Sequence, residues 1–145
     1  MSGHPAKLHV LPAGKLALPT HFIRDVKRDG RHKSRLVAGG HKQRPGVDFD
    51  ETFAPVCSYR TLRMMLAVAA RAGLALRQFD VKTAFLHGYL KEEVYVRPPR
   101  GWEHLAGGPG RVLRLRRALY GLRQAPRAWN ERLGAELRAL GFVQS

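Results

Sequence analysis

Asp80 is the residue whose type and setting best suit chemistry. It follows the run Leu74–Phe79, which reads as a strand, and precedes Val81-Lys82-Thr83-Ala84-Phe85-Leu86, a tight apolar segment closed by His87-Gly88. That places a carboxylate at a strand end, beside a turn whose backbone groups face the same space. A hard cation such as Mg²⁺ takes carboxylate and carbonyl oxygens, so Asp80 can seed a metal site. The local sequence alone favours the simpler reading, in which Asp80 caps the following turn. Other chemistries find less support. Gly39-Gly40-His41-Lys42 is too short for a phosphate-binding loop, which needs Gly-x-x-x-x-Gly-Lys-Ser/Thr. The 7 His show no spacing that puts two on one face with a carboxylate, which argues against a zinc hydrolase. The single cysteine, Cys57, excludes an internal disulfide and, having no His beside it, reads as a buried inert thiol. The acidic spot Asp48-Phe49-Asp50-Glu51 sits at a turn, where such side chains are solvated or act as caps.

The elements that must position Asp80 can be read in outline. Residues His21 to Ala38 form two strand-like runs around Asp29-Gly30, a dipeptide suited to the positive φ of a hairpin turn. Lys27, Arg28, Arg31, Lys33 and Arg35 make this ribbon strongly basic. Gly39-Gly40 breaks the strand, and Gln43-Arg44-Pro45-Gly46 is a turn. Ser58 stands as an N-cap ahead of a helix over Thr61–Ala72, where Leu62, Met65, Leu66 and Ala69 recur at helical spacing as a core-packing stripe, with Gly73 as the stop. Glu92–Val96 and, more loosely, Arg111–Arg117 read as strands. Pro126 opens a last helix whose apolar stripe is Trp129, Leu133, Leu137 and Leu140. Residues 1–19 read as a loose lead-in without periodicity.

At 145 residues the chain has the length of one domain, and 44% hydrophobic residues supply a core. There are 26 Lys+Arg against 11 Asp+Glu, a formal charge of +15, which suits a polyanionic partner whose counterions are released on binding. Since 19 of those 26 are Arg, GC-rich coding is an alternative source of the excess. No apolar run approaches a membrane span, and no secretory signal pattern opens the chain.

Longer phrases point to a family. Lys33-Ser34-Arg35-Leu36-Val37-Ala38-Gly39-Gly40-His41-Lys42-Gln43-Arg44, followed by Gly46-Val47-Asp48-Phe49-Asp50-Glu51-Thr52-Phe53-Ala54-Pro55-Val56, resembles the opening of the Ty1/copia-type retrotransposon reverse transcriptase. Phe79-Asp80-Val81-Lys82-Thr83-Ala84-Phe85-Leu86-His87-Gly88 is similar to that family's first catalytic motif. Ala118-Leu119-Tyr120-Gly121-Leu122-Arg123-Gln124-Ala125-Pro126-Arg127-Ala128-Trp129 is similar to its template-gripping motif. The phrases stand in the family's order and cover roughly residues 20–145.

The resemblance implies an α+β fold, a partial right-hand polymerase with fingers and the first half of the palm over residues 20–145. Asp80 would be the first metal-binding carboxylate, with the Val81 carbonyl on the same Mg²⁺; the complete enzyme uses two such ions. Lys33 and Arg35 would hold the incoming triphosphate. Phe85, next to Ala84 in the nucleotide pocket, would exclude a ribose 2′-hydroxyl and so select dNTPs. Tyr120 and Gly121 would lie under the nascent base pair, with Arg123 and Pro126 along template and primer. Expected partners are an RNA template, a DNA primer, dNTPs and the rest of the polyprotein (remaining palm, thumb, RNase H), in an intracellular setting with no membrane. His41 and Gly39-Gly40 depart from the family pattern, which implies a weaker hold on the triphosphate. The paired-aspartate motif is not found before Ser145, so RNA-directed DNA polymerisation by this chain alone is not expected. A non-enzymatic basic RNA/DNA-binding remnant is the alternative.

Overall fold

In the computed structural model, which describes residues 6–144, two short pieces of the amino-terminal stretch are strands at opposite edges of one sheet: β1 (Ala6–His9) and β2 (Ala17–Leu18). The lead-in reading of residues 1–19 is corrected to that extent, Met1–Pro5 lying outside the described residues. Strands this short carry no period of their own; their partners define them. The basic ribbon is a hairpin of β3 (Thr20–Val26) and β4 (His32–Ala38), paired antiparallel from Thr20↔Ala38 to Val26↔His32. Its turn has one positive φ, at Gly30 (78°), with Gly30 N donating to Lys27 O at 2.8 Å and Lys27 N to Arg31 O at 3.0 Å. Asp29 acts by its side chain instead, accepting from Arg31 N at 3.1 Å.

Helix α1 (Tyr59–Arg71) begins ahead of the expected Thr61, directly after the Ser58 cap, whose Oγ accepts from Thr61 N at 3.1 Å, and it stops before Gly73 at φ 64°. Its apolar stripe, however, is not core. Met65 is 60% exposed, Leu62 and Leu66 are also exposed, and Ala69 is the one buried residue of the helix. Among the described residues no other element lies over that face. The run Leu74–Phe79 likewise forms no strand: Leu74, Leu76 and Phe79 (86%) are exposed, because no described strand offers them a ladder.

Beyond Asp80, a 3-10 turn (Ala84–His87) leads into β5 (Tyr89–Val96), which begins earlier than the sequence suggests. Strand β6 (Val112–Arg117) pairs antiparallel with β5, across an irregularity between Tyr89 and Val94, and with β1 on its other side. The four-stranded order is β1-β6-β5-β2, with β2 parallel to β5. Helix α2 (Ala125–Ala139), opened by Pro126, packs its first half on β5 and the Ala84–His87 turn. A Cβ on Gly88 would lie 2.7 Å from the Ala128 carbonyl carbon, so glycine permits that approach. Trp129 and Leu133 are half-buried, whereas Leu137 and Leu140 are exposed, so the expected stripe packs only over its first turns. The core gathers Leu18, Ala38, Val94, Val96, Leu115, Leu119, Leu122, Ala125 and Ala128. The fold class is α+β.

Candidate functional site

The hairpin, the Asp80 segment and the turn after β6 enclose a cleft of about 540 Å³. Lys27, Lys33 and Arg35 line it from the hairpin, Asp80 and Val81 from the segment, and Tyr120 from the turn. Neither these cations nor Asp80 engages in an ion pair among the described residues. An exposed carboxylate thus shares a cavity with three uncompensated positive side chains. Two residues past Val81, Thr83 holds φ 53°, a left-handed backbone rarely adopted by a β-branched residue, and its hydroxyl donates to Lys82 O at 2.7 Å. This bend turns the chain from the Asp80 segment into the 3-10 turn.

Tyr120 is fixed from two sides. Ala38 N donates to its carbonyl at 2.8 Å, and its ring meets the half-buried Phe85 ring edge to face, with centroids 4.9 Å apart. Gly121 (φ 89°) follows, and a Cβ there would overlap the Ala38 carbonyl oxygen. A Cβ on Gly40 would in turn overlap the Gly121 carbonyl oxygen. The Gly-Gly pair that departs from the family pattern therefore has a packing reason at Gly40: backbone meets backbone with no room for a side chain.

Of the sequence-derived site residues, Lys33, Arg35, Asp80, Val81 and Tyr120 share the cleft; Phe85 reaches it through Tyr120, and Ala84 and Gly121 are chain neighbours of this group. Arg123 and Pro126 lie apart from it. Arg123 faces the hairpin's exit: its Nε donates to Gly40 O at 3.3 Å and its guanidinium stands 5.6 Å from the Phe49 ring centroid. Pro126 is exposed on the first turn of α2.

Sequence reasoning missed a buried amide cluster. Gln43 Nε2 donates to Gln124 Oε1 at 2.9 Å, Gln43 Oε1 accepts from Arg123 N at 2.9 Å, and Gln124 Nε2 donates to Asp48 O at 3.1 Å. Nothing in the spacing of two glutamines 81 positions apart announces such a contact. Asp48, read as solvated or a cap, is a buried cap: its carboxylate accepts from Arg44 N at 2.8 Å and from Arg44 Nε at 3.0 Å. The Arg44 hydrogen bond holds the Asp48 carboxyl below the ordinary carboxylate range, against the upward push of burial. Cys57 is exposed rather than buried, because the segment before α1 is uncovered.

Asp80 and the Val81 carbonyl are oxygen donors of the kind magnesium takes. Among the described residues, though, no group of three or more His, Cys, Asp or Glu side chains is placed to hold a metal. One carboxylate does not neutralise two divalent ions, so these residues do not by themselves fit a two-ion centre. No helix among the described residues is long and apolar enough to cross a membrane.

A family model for reverse transcriptase (RNA-dependent DNA polymerase) matches residues 6–145. The chain belongs to the reverse transcriptase family. Its relatives place it among the Ty1/copia-type reverse transcriptases. It is 42% identical over 144 residues to the retrovirus-related Pol polyprotein from transposon TNT 1-94 of Nicotiana tabacum, a match covering 96% of this chain and 11% of that polyprotein. It is 46% identical over 127 residues to the corresponding polyproteins from transposons RE2 and RE1 of Arabidopsis thaliana, covering 86% of this chain and 9% of each. No solved structure matches the chain. The reverse transcriptase match begins at residue 6, inside β1, so the amino-terminal strands are part of the matched region.

Proposed function

We propose that this reverse transcriptase chain forms the fingers and first half of the palm of a right-hand polymerase, and that its cleft receives the incoming deoxynucleoside triphosphate. The observation that carries this reading is the meeting of Lys33, Arg35, Asp80 and Tyr120 around one cavity, drawn from three distant parts of the sequence. In this reading Lys33 and Arg35 grip the phosphates, Arg by paired hydrogen bonds and Lys as a point charge. Phe85, with Ala84 beside it, closes the space a ribose 2′-hydroxyl needs; its edge-to-face contact with Tyr120 fixes the ring for that task. Tyr120 and Gly121 lie under the nascent base pair, and Arg123 and Pro126 border the RNA template and DNA primer. Asp80 and the Val81 carbonyl contribute one corner of a magnesium site whose other ligands the described residues do not supply.

It follows that nucleotidyl transfer onto a primer 3′-hydroxyl belongs to the larger polyprotein, within the cell, and that this chain alone binds nucleotide without polymerising. Fluorescence titration with a labelled deoxynucleoside triphosphate tests the binding half. Arg35→Ala is expected to weaken binding about tenfold, the loss of a charge-assisted phosphate contact worth ~1.4 kcal/mol. Phe85→Ala is expected to narrow the preference for deoxy- over ribonucleoside triphosphate. Unchanged affinity in Arg35→Ala would refute the assignment of the cleft. Primer extension tests the other half: template-dependent synthesis by this chain alone contradicts it, whether or not it persists in Asp80→Asn. Binding of RNA that falls steeply with salt but ignores Arg35→Ala and Phe85→Ala would instead favour a non-enzymatic nucleic-acid-binding role, the reading to which the +15 charge lends weight.

A further inference from the structure

The amide cluster has a geometry that goes beyond holding the fold together. Gln43 is 5% exposed and Gln124 2% exposed, and three of the four hydrogen-bonding positions of the Gln43 amide are used. Its Nε2 donates to Gln124 Oε1 at 2.9 Å and to Asp48 O at 3.4 Å, while its Oε1 accepts from Arg123 N at 2.9 Å. It thus ties the segment leaving β4 to the segment leaving Tyr120, directly behind the backbone contact of Gly40 on Gly121. On the cleft side of that contact, Ala38 N bonds Tyr120 O at 2.8 Å, three residues from Arg35. Apolar packing alone lets two segments slide, because it has no direction. Buried amide hydrogen bonds fix register and orientation.

We infer that Gln43 is a positioning residue of the nucleotide site: its amide sets where the cationic strand stands relative to the Tyr120-Gly121 turn. This inference rests on the nucleotide reading of the cleft. It assigns Gln43 no contact with nucleotide; the residue acts through Arg123, Gln124 and the β4–Tyr120 bridge. An apolar side chain of similar length would preserve the volume yet leave the Arg123 N–H and the Gln124 carbonyl without a partner. The turn would then be free to shift against Arg35.

The test uses the whole chain at a temperature well below its melting midpoint, with 2′-deoxythymidine triphosphate as the probe. Gln43→Met is expected to weaken binding about tenfold, through displacement of groups that do not themselves change. Hydrogen exchange at the Ala38 and Arg123 amides should quicken at least tenfold. In the double variant Arg35→Ala/Gln43→Met, affinity should match Arg35→Ala alone within about twofold, since Gln43 acts by placing that cation. Should Gln43→Met fail to fold, Gln43→Glu keeps the acceptor for Arg123 N and loses the donor, and is expected to weaken binding and quicken exchange at the Ala38 amide while Arg123 stays protected. A lowered melting point with wild-type affinity and unchanged Ala38 protection would reduce Gln43 to a structural residue and overturn the inference. Strict additivity in the double variant would overturn it too. Arg35→Ala with unchanged affinity would bring down the nucleotide reading itself and this inference with it, a result distinct from failure at Gln43 alone.

Discussion

The junction between the hairpin and α2 contrasts with the arm that runs from α1 to Asp80. At the junction, glycine backbones touch, two glutamines are buried with their amides paired, and Asp48 is capped against Arg44. Along the arm, Met65, Leu76 and Phe79 stand open, and no described strand pairs with residues 74–79. Both regions carry strong sequence patterns, yet only one is completed by the residues around it. An amphipathic pattern states what a segment can bury, not that a cover is present. Asp80 lies on the open arm, whereas Tyr120, which shares its cleft, is held beside the closed junction.

Substitutions can sharpen this contrast. The largest effect is expected at Gly121→Ala, where a left-handed φ and overlap with the Ala38 carbonyl act together. A loss of roughly 3 kcal/mol or more, read as a drop in thermal midpoint, is expected from that combination. A loss under ~0.5 kcal/mol, the size of an ordinary surface change, would dissolve the distinction between the two regions. On the arm, Ser58→Ala removes the α1 cap and is expected to cost about 1 kcal/mol of helix stability, measured by circular dichroism. Met65→Glu is expected to change stability by less than ~0.5 kcal/mol. It should nonetheless reduce self-association in light scattering, since it breaks an exposed apolar stripe. A large loss of stability in Met65→Glu would mean that the stripe is packed after all.

Acid provides a test without mutation. Asp48 is held below the ordinary carboxylate range, so its native form binds protons less readily than the unfolded chain. Its contribution is present above the unfolded value near 3.8 and is lost as pH falls through the lower native value. Titration from neutral pH downward should loosen the junction only in that acid range. Arg44→Met should flatten this part of the profile while leaving α1 helicity unchanged.

How much could be read from sequence follows from how local each cause is. The hairpin around Asp29-Gly30, the Ser58 cap, the Gly73 stop and Pro126 at the head of α2 were legible because each rests on a few adjacent residues. β1 and β2 were not, since Ala6–His9 and Ala17–Leu18 become strands only beside β6 and β5. Leu74–Phe79 was over-read for the converse reason: a strand-like pattern without a partner strand makes no ladder. Lys33, Arg35, Asp80, Val81 and Tyr120 could be named from long motifs, and the structure gathers them at one cleft, where Lys27, outside those motifs, joins them. Gln43 escaped notice because its role is created by a contact with Gln124, and glutamine at a turn carries no signal of burial.

The pairing of Ala6–His9 with Val112–Leu115 also has a consequence in time. Roughly a hundred residues separate the two strands, so on a ribosome the first strand waits for that whole stretch before it can dock, a long-range closure of the slow kind. Until then β6 offers an unsatisfied border to any extended peptide nearby. The first strand of this pair to be synthesised is held waiting for its partner, and folding yield should depend on keeping that border unoccupied meanwhile.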